Sequence, residues 1–300
     1  MMSARFLTVV LERAFNMRDG FGREIDYMRI SVIDSCNLNC YYCNPCDNNE
    51  HCHALNILSV KEVLCIVRAA TRLGIKHFRL TGGEPLLHPQ LDEMVLQIKK
   101  IPGVSSVSLT TNAVLLVQHA KWLKEAGIDS INVSLDTIDA SEYERITKKP
   151  LLEEVKHGIN AAIECGIRVK INVVLTPQTD VVALTRYVAK KGTDIRFIEM
   201  MPVGEGHTNG VEPYKKVIGT LSKLYGEPCR INTEKTKEIN SGNDKRKIPD
   251  NGPAEYYIFP ELGIRVGLIQ AIHGKFCDTC NRIRVTADGR LMPCLGSSVT

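Results

Sequence analysis

Six short runs of strand-forming residues recur along the first two-thirds of the chain, each followed by an amphipathic stretch of helical length. The runs are "YMRISVI" (27–33), "HFRLT" (77–81), "VSLTTN" (107–112), "SINVSLD" (130–136), "RVKINVV" (168–174) and "IRFIEMM" (195–201). Between them lie segments such as "VKEVLCIVRAATRLG", "VLLVQHAKWLKEAG" and "LEEVKHGINAAIECG". Several stop at a glycine, as helix C-termini often do. Such β-then-α repetition builds a parallel sheet with right-handed crossovers. Eight units would make a full barrel and only six are counted, so the reading is an α/β fold of TIM type, its sheet closed or partly closed into a (β/α)6 barrel.

Parallel strands buried on both faces are continuously apolar. Here Arg29 and Ser31 share one face of their strand, opposite Met28, Ile30 and Val32. His77, Arg79 and Thr81 oppose Phe78 and Leu80; Asn132, Ser134 and Asp136 oppose Ile131, Val133 and Leu135; Lys170 and Asn172 oppose Val169, Ile171 and Val173. The apolar faces can meet the helices, which leaves a polar, partly cationic face around a wet hollow.

The β/α rhythm is lost from about residue 207. The polar stretch "NTEKTKEINSGNDKRKIPDNGP" (232–253) reads as a long surface loop. "EYYIF", "GIRVGLI" and "NRIRVTADGRLMPC" then read as short strands of a small β-rich C-terminal module, with Asp288-Gly289 as a hairpin turn.

With 38 basic and 34 acidic residues, the net charge of +4 gives no argument for nucleic acid. No apolar run approaches the length of a membrane span. The first stretch, "MMSARFLTVVLERAFNM", has arginines and an apolar stripe, as an organelle-targeting peptide would, but its Glu12 and the lack of a clear cleavage signal favour a short extension. An odd count of eleven cysteines, tightly clustered and without a secretory signal, points to metal ligation in a reducing cytoplasm.

Cys36, Cys40 and Cys43 fall just past the first strand, at the rim where barrel active sites are built. Four thiolates are the ordinary way to hold an iron–sulfur cubane, and three would leave one iron open. A zinc site completed by Cys46, Cys52, His51 or His53 is the alternative. Cys277 and Cys280 form a C-x-x-C pair with Cys294 further on, which reads as a zinc ribbon or as a second open cluster. Beside it Arg282 and Arg284 share a strand face, and with Arg29, Arg79 and Lys170 they suggest a polyanionic substrate such as a triphosphate.

"CNLNCYYC" together with "TGGEP" (81–85) after the second strand resembles the radical S-adenosylmethionine (SAM) superfamily. The resemblance implies that the first three cysteines hold a [4Fe–4S] cluster whose fourth iron is chelated by SAM, and that the "GGEP" backbone binds the SAM amine. From about Phe21 to Leu295, "FGREIDYMRISVIDSCNLNCYYC", "FRLTGGEPLL", "LTTN", "NVSLD", "VKINVVL", "RFIEMMPVGEG", "GPAEYY" and "FCDTCNRIRVTADGRLMPCL" follow the order of the GTP 3′,8-cyclase family of molybdenum-cofactor biosynthesis.

That resemblance implies an N-terminal extension (1–20), a radical SAM partial barrel (21–206) and a C-terminal auxiliary-cluster module (207–300) whose second [4Fe–4S] cluster, on Cys277, Cys280 and Cys294, binds GTP. Tyr42, Gly83, Ser134 and Met201 fall where the family contacts SAM. Arg29, Arg79, Thr110, Lys170, Arg282 and Arg284 fall where it contacts GTP. Implied too is a 5′-deoxyadenosyl radical that takes hydrogen from ribose carbon 3, after which that carbon attacks guanine carbon 8. Arg29, inward beside the first cluster, is the expected donor of a hydrogen atom or proton. Expected partners are a one-electron donor such as flavodoxin or ferredoxin and the downstream cyclic pyranopterin monophosphate synthase. Neither nucleic acid nor membrane is expected, and a homodimer is allowed. The competing readings are another radical SAM enzyme with an auxiliary cluster, acting on a peptide or a different nucleotide, and a zinc or electron-transfer protein.

The sequence departs from the family at several points. The family pattern continues to a Gly-Gly tail, whereas this sequence ends "CLGSSVT". "TTNA", with Ala113, stands where the family has "TTNG", and "TPQTD" replaces a glycine- and asparagine-containing loop. Cys46, His51, Cys52 and His53 read as loop residues, with a third metal site as the alternative.

Overall fold

A computed structural model of the chain describes residues 17–43, 56–202, 210–231 and 252–296. Most of the polar 232–253 stretch, and Cys46, His51, Cys52 and His53, lie outside the described residues.

The six expected strands form: β1 (Tyr27–Ser31), β2 (His77–Thr81), β3 (Ser106–Thr111), β4 (Ser130–Ser134), β5 (Val169–Val174) and β6 (Asp194–Ile198), paired in parallel in chain order. The crossovers carry α1 (Val60–Arg72), α2 (Leu91–Lys99), α3 (Leu116–Glu125), α4 (Ala140–Thr147), α5 (Leu152–Glu164) and α6 (Val181–Lys190). Local chemistry sets their ends. The Ser59 hydroxyl accepts from the Glu62 N–H at 3.3 Å while the Glu62 carboxylate accepts from the Ser59 N–H at 2.8 Å, a reciprocal cap that starts α1. Gly74, Gly127 and Gly166 stop α1, α3 and α5 with φ of +90°, +88° and +68°, which glycine adopts without a Cβ clash.

The alternation read in the strands is the alternation observed. Ile30, Phe78, Leu80, Leu109, Ile131, Val133, Ile171 and Val173 are fully buried in one core under the helices. Burying each such side chain stabilises the fold by about 1.5–3 kcal/mol over leaving it exposed.

The expected C-terminal strands pair onto the barrel sheet. β7 (Cys229–Ile231), β8 (Glu255–Ile258), β9 (Arg265–Ile269), β10 (Arg282–Val285) and β11 (Leu291–Met292) all join the barrel sheet, giving the order β11-β10-β1-β2-β3-β4-β5-β6-β9-β8-β7. β9 runs parallel to β6, and β10 parallel to β1, so each flanks one edge of the six-stranded core. Local periodicity shows a strand's existence but not its neighbour, so these long-range pairings were invisible in sequence. The β10–β11 turn is the expected hairpin: Gly289 takes φ +83°, and Thr286 N–H donates to the Arg290 carbonyl at 2.9 Å. Among the described residues no helix is long and apolar enough to cross a membrane.

Ala113, the departure from "TTNG", is buried and takes φ +65°, a region costing an L-residue about 1–2 kcal/mol. Its carbonyl lies against Gly158 of α5, where a Cβ would overlap that oxygen and sit 3.0 Å from Leu116 Cβ. Gly158→Ala is therefore expected to push α5 off the start of α3. It should lower the unfolding free energy by about 2–3 kcal/mol, read as a fall in the urea midpoint at unchanged slope.

Candidate active site

Cys36, Cys40 and Cys43 lie in the loop after β1, and that loop is held on two sides. The Asn39 and Tyr41 N–H groups donate to the Thr147 and Ile146 carbonyls at 3.0 and 3.1 Å. These are end-of-helix acceptors of α4 that would otherwise lack partners. On the other side, the Gly83 N–H donates to the Ile33 carbonyl at 2.7 Å and the Glu84 N–H to the Ser35 carbonyl at 2.8 Å. A Cβ on Gly83 would overlap the Ser35 carbonyl and stand 2.5 Å from that of Asp34, which is why "GGE" begins with two glycines.

Glu84 is buried and fastens three segments. Its carboxylate accepts from the Thr111 hydroxyl at 2.7 Å, the Asn112 N–H at 2.7 Å and the Leu86 N–H at 3.0 Å. Burial pushes its carboxyl upward, and these bonds work against that. Asn112 Nδ2 then donates to Asn37 Oδ1 at 2.7 Å and lies 3.9 Å from Cys36 Sγ. The Leu38 N–H approaches the same sulfur at 3.5 Å.

The Tyr42 hydroxyl makes a short hydrogen bond to Asp136, whose other oxygen accepts from the Val174 N–H at 2.7 Å. Burial pushes the Asp136 carboxyl up to about 6 despite both bonds. Burial, then Asp136 and the neighbouring thiols, pushes Cys40 up to about 12; Cys36 and Cys43 are raised as well.

The hollow begins below this rim. Arg29 pairs in register with Arg284 on one side and Arg79 on the other. Arg79 donates to the Ser108 hydroxyl at 3.1 Å and lies over the Tyr27 ring at 5.7 Å. Burial, then Arg284 and Arg79, pushes Arg29 down to about 9, still cationic at neutral pH. Its Nε is buried with no hydrogen-bond partner. Lys170, buried, lies beside Asn132, which lies beside Thr110. A cavity of about 390 Å³ opens between the β1 side (Arg29, Ser31, Gly82) and the β10–β11 hairpin (Arg284, Met292).

Cys277 and Cys280 sit just before β10, at the opposite end of the strands from the first trio, and Cys294 just after β11. Arg23, tied to Asp19 at 2.6 Å, donates to the Cys277 carbonyl at 2.8 Å. Arg282 Nη2 approaches Cys280 Sγ at 3.4 Å. Burial would raise the Cys280 thiol, but the charge and hydrogen bonds of Arg282 outweigh it and the net shift is downward. Cys280 and Cys294 both act on Arg284.

Tyr42, Gly83, Ser134 and Met201 thus lie at the carboxyl ends of β1, β2, β4 and β6, around one rim. Arg29, Arg79, Arg282, Arg284, Thr110 and Lys170 lie deeper. Arg29 lines the cavity together with Ser31, Asp34 and Gly82. Its strongest charged neighbours are Arg284 and Arg79, because β10 docks on β1. The two trios bracket the inward row Tyr27, Arg29 and Ser31, about 13 Å of strand. Glu84, Asn112, Asp136 and α4 are the parts that sequence reasoning missed. The three residues all lie in quoted motifs ("GGEP", "LTTN", "NVSLD"), where the glycines and serine drew attention instead.

The early trio fits an iron–sulfur cluster: three thiols close enough to raise one another, with N–H donors aimed at a sulfur. Among the described residues no three His, Cys, Asp or Glu side chains converge on a single metal ion. A cubane takes its thiolates on separate irons and does not need that convergence.

A parallel partial barrel with three thiols on its carboxyl rim defines the radical SAM superfamily, whose family profile matches residues 30–184. SuiB of Streptococcus suis, solved bound to S-adenosylmethionine, shares the fold with a TM-score of 0.64 at 16% identity, over 92% of this chain. This chain spans only 62% of SuiB's length. The anSMEcpe structure with bound AdoMet gives 0.53 at 20% identity, over 66% of this chain and 60% of that one. A second profile, Molybdenum Cofactor Synthesis C, matches residues 193–300. GTP 3′,8-cyclase of Clostridium perfringens (strain SM101 / Type A) is 37% identical over 282 residues, 93% of this chain and 83% of that protein. That of Petrotoga mobilis is 38% identical over 290 residues, 94% and 85% respectively. The chain belongs to the GTP 3′,8-cyclase family.

Gly83→Ala should displace the early cysteine loop, so reconstituted protein is expected to lose SAM binding by at least about tenfold in equilibrium dialysis while remaining folded by circular dichroism. Asp136 has the opposite sign to an ordinary paired carboxylate. Its folded pKa lies above the unfolded value, so its contribution to stability falls as pH rises from about 4 to about 6, by about 2–3 kcal/mol in the metal-free protein. Asp136→Asn should flatten that part of the pH–stability curve, measured by denaturant midpoints at pH 4.5 and 7.

Proposed function

We propose that this chain converts GTP to 3′,8-cyclo-7,8-dihydro-GTP, the first step of molybdopterin cofactor biosynthesis, as a radical SAM lyase. The observation that carries the reading is the row Arg284–Arg29–Arg79 across three parallel strands, with Arg282 beside it, whose strongest mutual influence is repulsion. A nucleoside triphosphate carries the compensating charge, and guanidiniums bind phosphate in a planar, two-point manner. Thr110 and Lys170 extend the polar lining towards β5.

Cys36, Cys40 and Cys43 would hold a [4Fe–4S] cluster, with Tyr42, Gly83, Ser134 and Met201 around its SAM. Cys277, Cys280 and Cys294 would hold a second [4Fe–4S] cluster that takes the substrate. The 3.4 Å approach of Arg282 to Cys280, and the lowered Cys280 thiol, favour thiolate there. When bound, the first cluster and SAM supply one-electron chemistry able to activate an ordinary C–H bond, which no side chain can do. The chain's own work is to orient the nucleotide, exclude water and hold protons. Arg29 is the proposed group for the last role, which its unpartnered Nε–H within the arginine row and its retained charge support. A flavodoxin- or ferredoxin-like protein is the proposed electron donor, cyclic pyranopterin monophosphate synthase the consumer of product, and the cytoplasm the site.

Anaerobically reconstituted protein should contain about eight irons per chain and, with SAM, reductant and GTP, form the cyclised product seen by mass spectrometry. Cys277→Ala should halve the iron, and Arg282→Ala should weaken GTP binding about tenfold or more with SAM binding intact. Wild-type protein that binds SAM but neither binds nor consumes GTP would overturn the reading.

A further inference from the structure

Asn132 occupies the middle of β4 and is 1% exposed. Ile131 and Val133 on either side point into the helix-packed core, so the Asn132 side chain points into the barrel. In register it lies between Thr110 and Lys170, one inward step below Ser134 at the rim. Neither its Oδ1 nor its Nδ2 has a hydrogen-bond partner. Buried amides are almost always satisfied, and an apolar residue of similar shape would pack here without the desolvation cost.

The ligand that completes this amide must offer an acceptor and a donor together. A phosphate answers Nδ2 but repels Oδ1, and a cation answers Oδ1 alone. Two hydroxyls on adjacent carbons answer both, because each can give and take a hydrogen bond. That is the 2′,3′-diol of a ribose. Both GTP and SAM carry one, and position separates them. Ser134 and Asp136 belong to the rim, whereas Asn132 lies one step deeper, between the two side chains assigned to the nucleotide. The reaction also requires carbon 3 of the substrate ribose to face the rim, so the sugar is the part of the nucleotide that this depth meets.

We infer that Asn132 fixes the ribose diol of GTP, a positioning residue that aims the 3′ carbon at the rim and makes the site select ribonucleotides over deoxyribonucleotides. The inference rests on the cyclase reading and adds the sugar-recognising group to it. A site built to bond a hydroxyl rejects the analogue that lacks it, because its own polar atoms are then left unpaired.

The test measures dissociation constants of GTP, 2′-deoxy-GTP, 3′-deoxy-GTP and SAM on anaerobically reconstituted wild type, Asn132→Ala and Asn132→Leu. Wild type should bind each deoxynucleotide about tenfold or more weaker than GTP. In the variants GTP should weaken to match, so that the ratio falls towards one while SAM affinity stays within about twofold. Equal binding of GTP and both deoxynucleotides by wild type overturns the inference without any variant, which covers the case in which the variants do not fold. A wild-type preference for GTP that the variants keep also overturns it, and assigns the amide to the base. A loss confined to SAM overturns it in favour of the cofactor's ribose. Wild type that binds no nucleotide at all defeats the cyclase reading and this inference together.

Discussion

Positive charge held inside the barrel is the constraint on which the site depends. The chain does neutralise a buried arginine where it only needs a joint: Arg265 on β9 closes on Asp194 of β6 at 2.5 Å, both nearly inaccessible. At the β10–β1–β2 junction it gathers like charges instead. Arg284, Arg29 and Arg79 are set side by side, and the strongest influences on Arg29 after burial are its like-charged neighbours. Such an arrangement opposes folding, so the apolar outer faces of the same strands must carry it. Ile30, Phe78 and Leu80 alternate with these arginines and are fully buried. A polyanion entering the hollow reverses the sign of the interaction.

The two cysteine trios sit in opposite electrostatic surroundings. The early one lies near Asp136 and Glu84, and its thiols are pushed up; in the late one Arg282 and Arg23 draw the Cys280 thiol down. Metal ligation deprotonates a thiol outright, so filling the early site must release protons against these raised values, whereas Cys280 is already favoured as thiolate. Loop geometry follows the same division. The early trio is locked through α4, Gly83 and Glu84, each by backbone or buried side-chain bonds. The late trio is tethered through Arg23 and through the β10–β11 hairpin.

Much of this was legible in the residues. The period-two alternation of "YMRIS" and "INVS" gave both the helix-packed face and the polar inward face, because alternation is a property of each strand alone. The Asp288-Gly289 hairpin was legible for a similar reason: its φ requirement is local. Glu84 and Asp136 were not, since a buried carboxylate is defined by what approaches it from other strands. The pairing of Arg29 with Arg284 was not legible either. Nothing in "MRIS" says that β10 lies alongside.

That pairing also ties the two halves of the chain into one site. β10 supplies Arg282 and Arg284 only by docking in register on β1, Tyr27 to Arg282 and Arg29 to Arg284. β9 seals the other edge of the parallel run against β6. The segment matched as radical SAM therefore holds Arg79, with Arg29 one residue before its start, and the segment matched as Molybdenum Cofactor Synthesis C holds Arg282 and Arg284. Neither builds the hollow alone. The second segment supplies the outer strands at both edges of the sheet, and the late cysteines flank β10 and β11 at one of those edges.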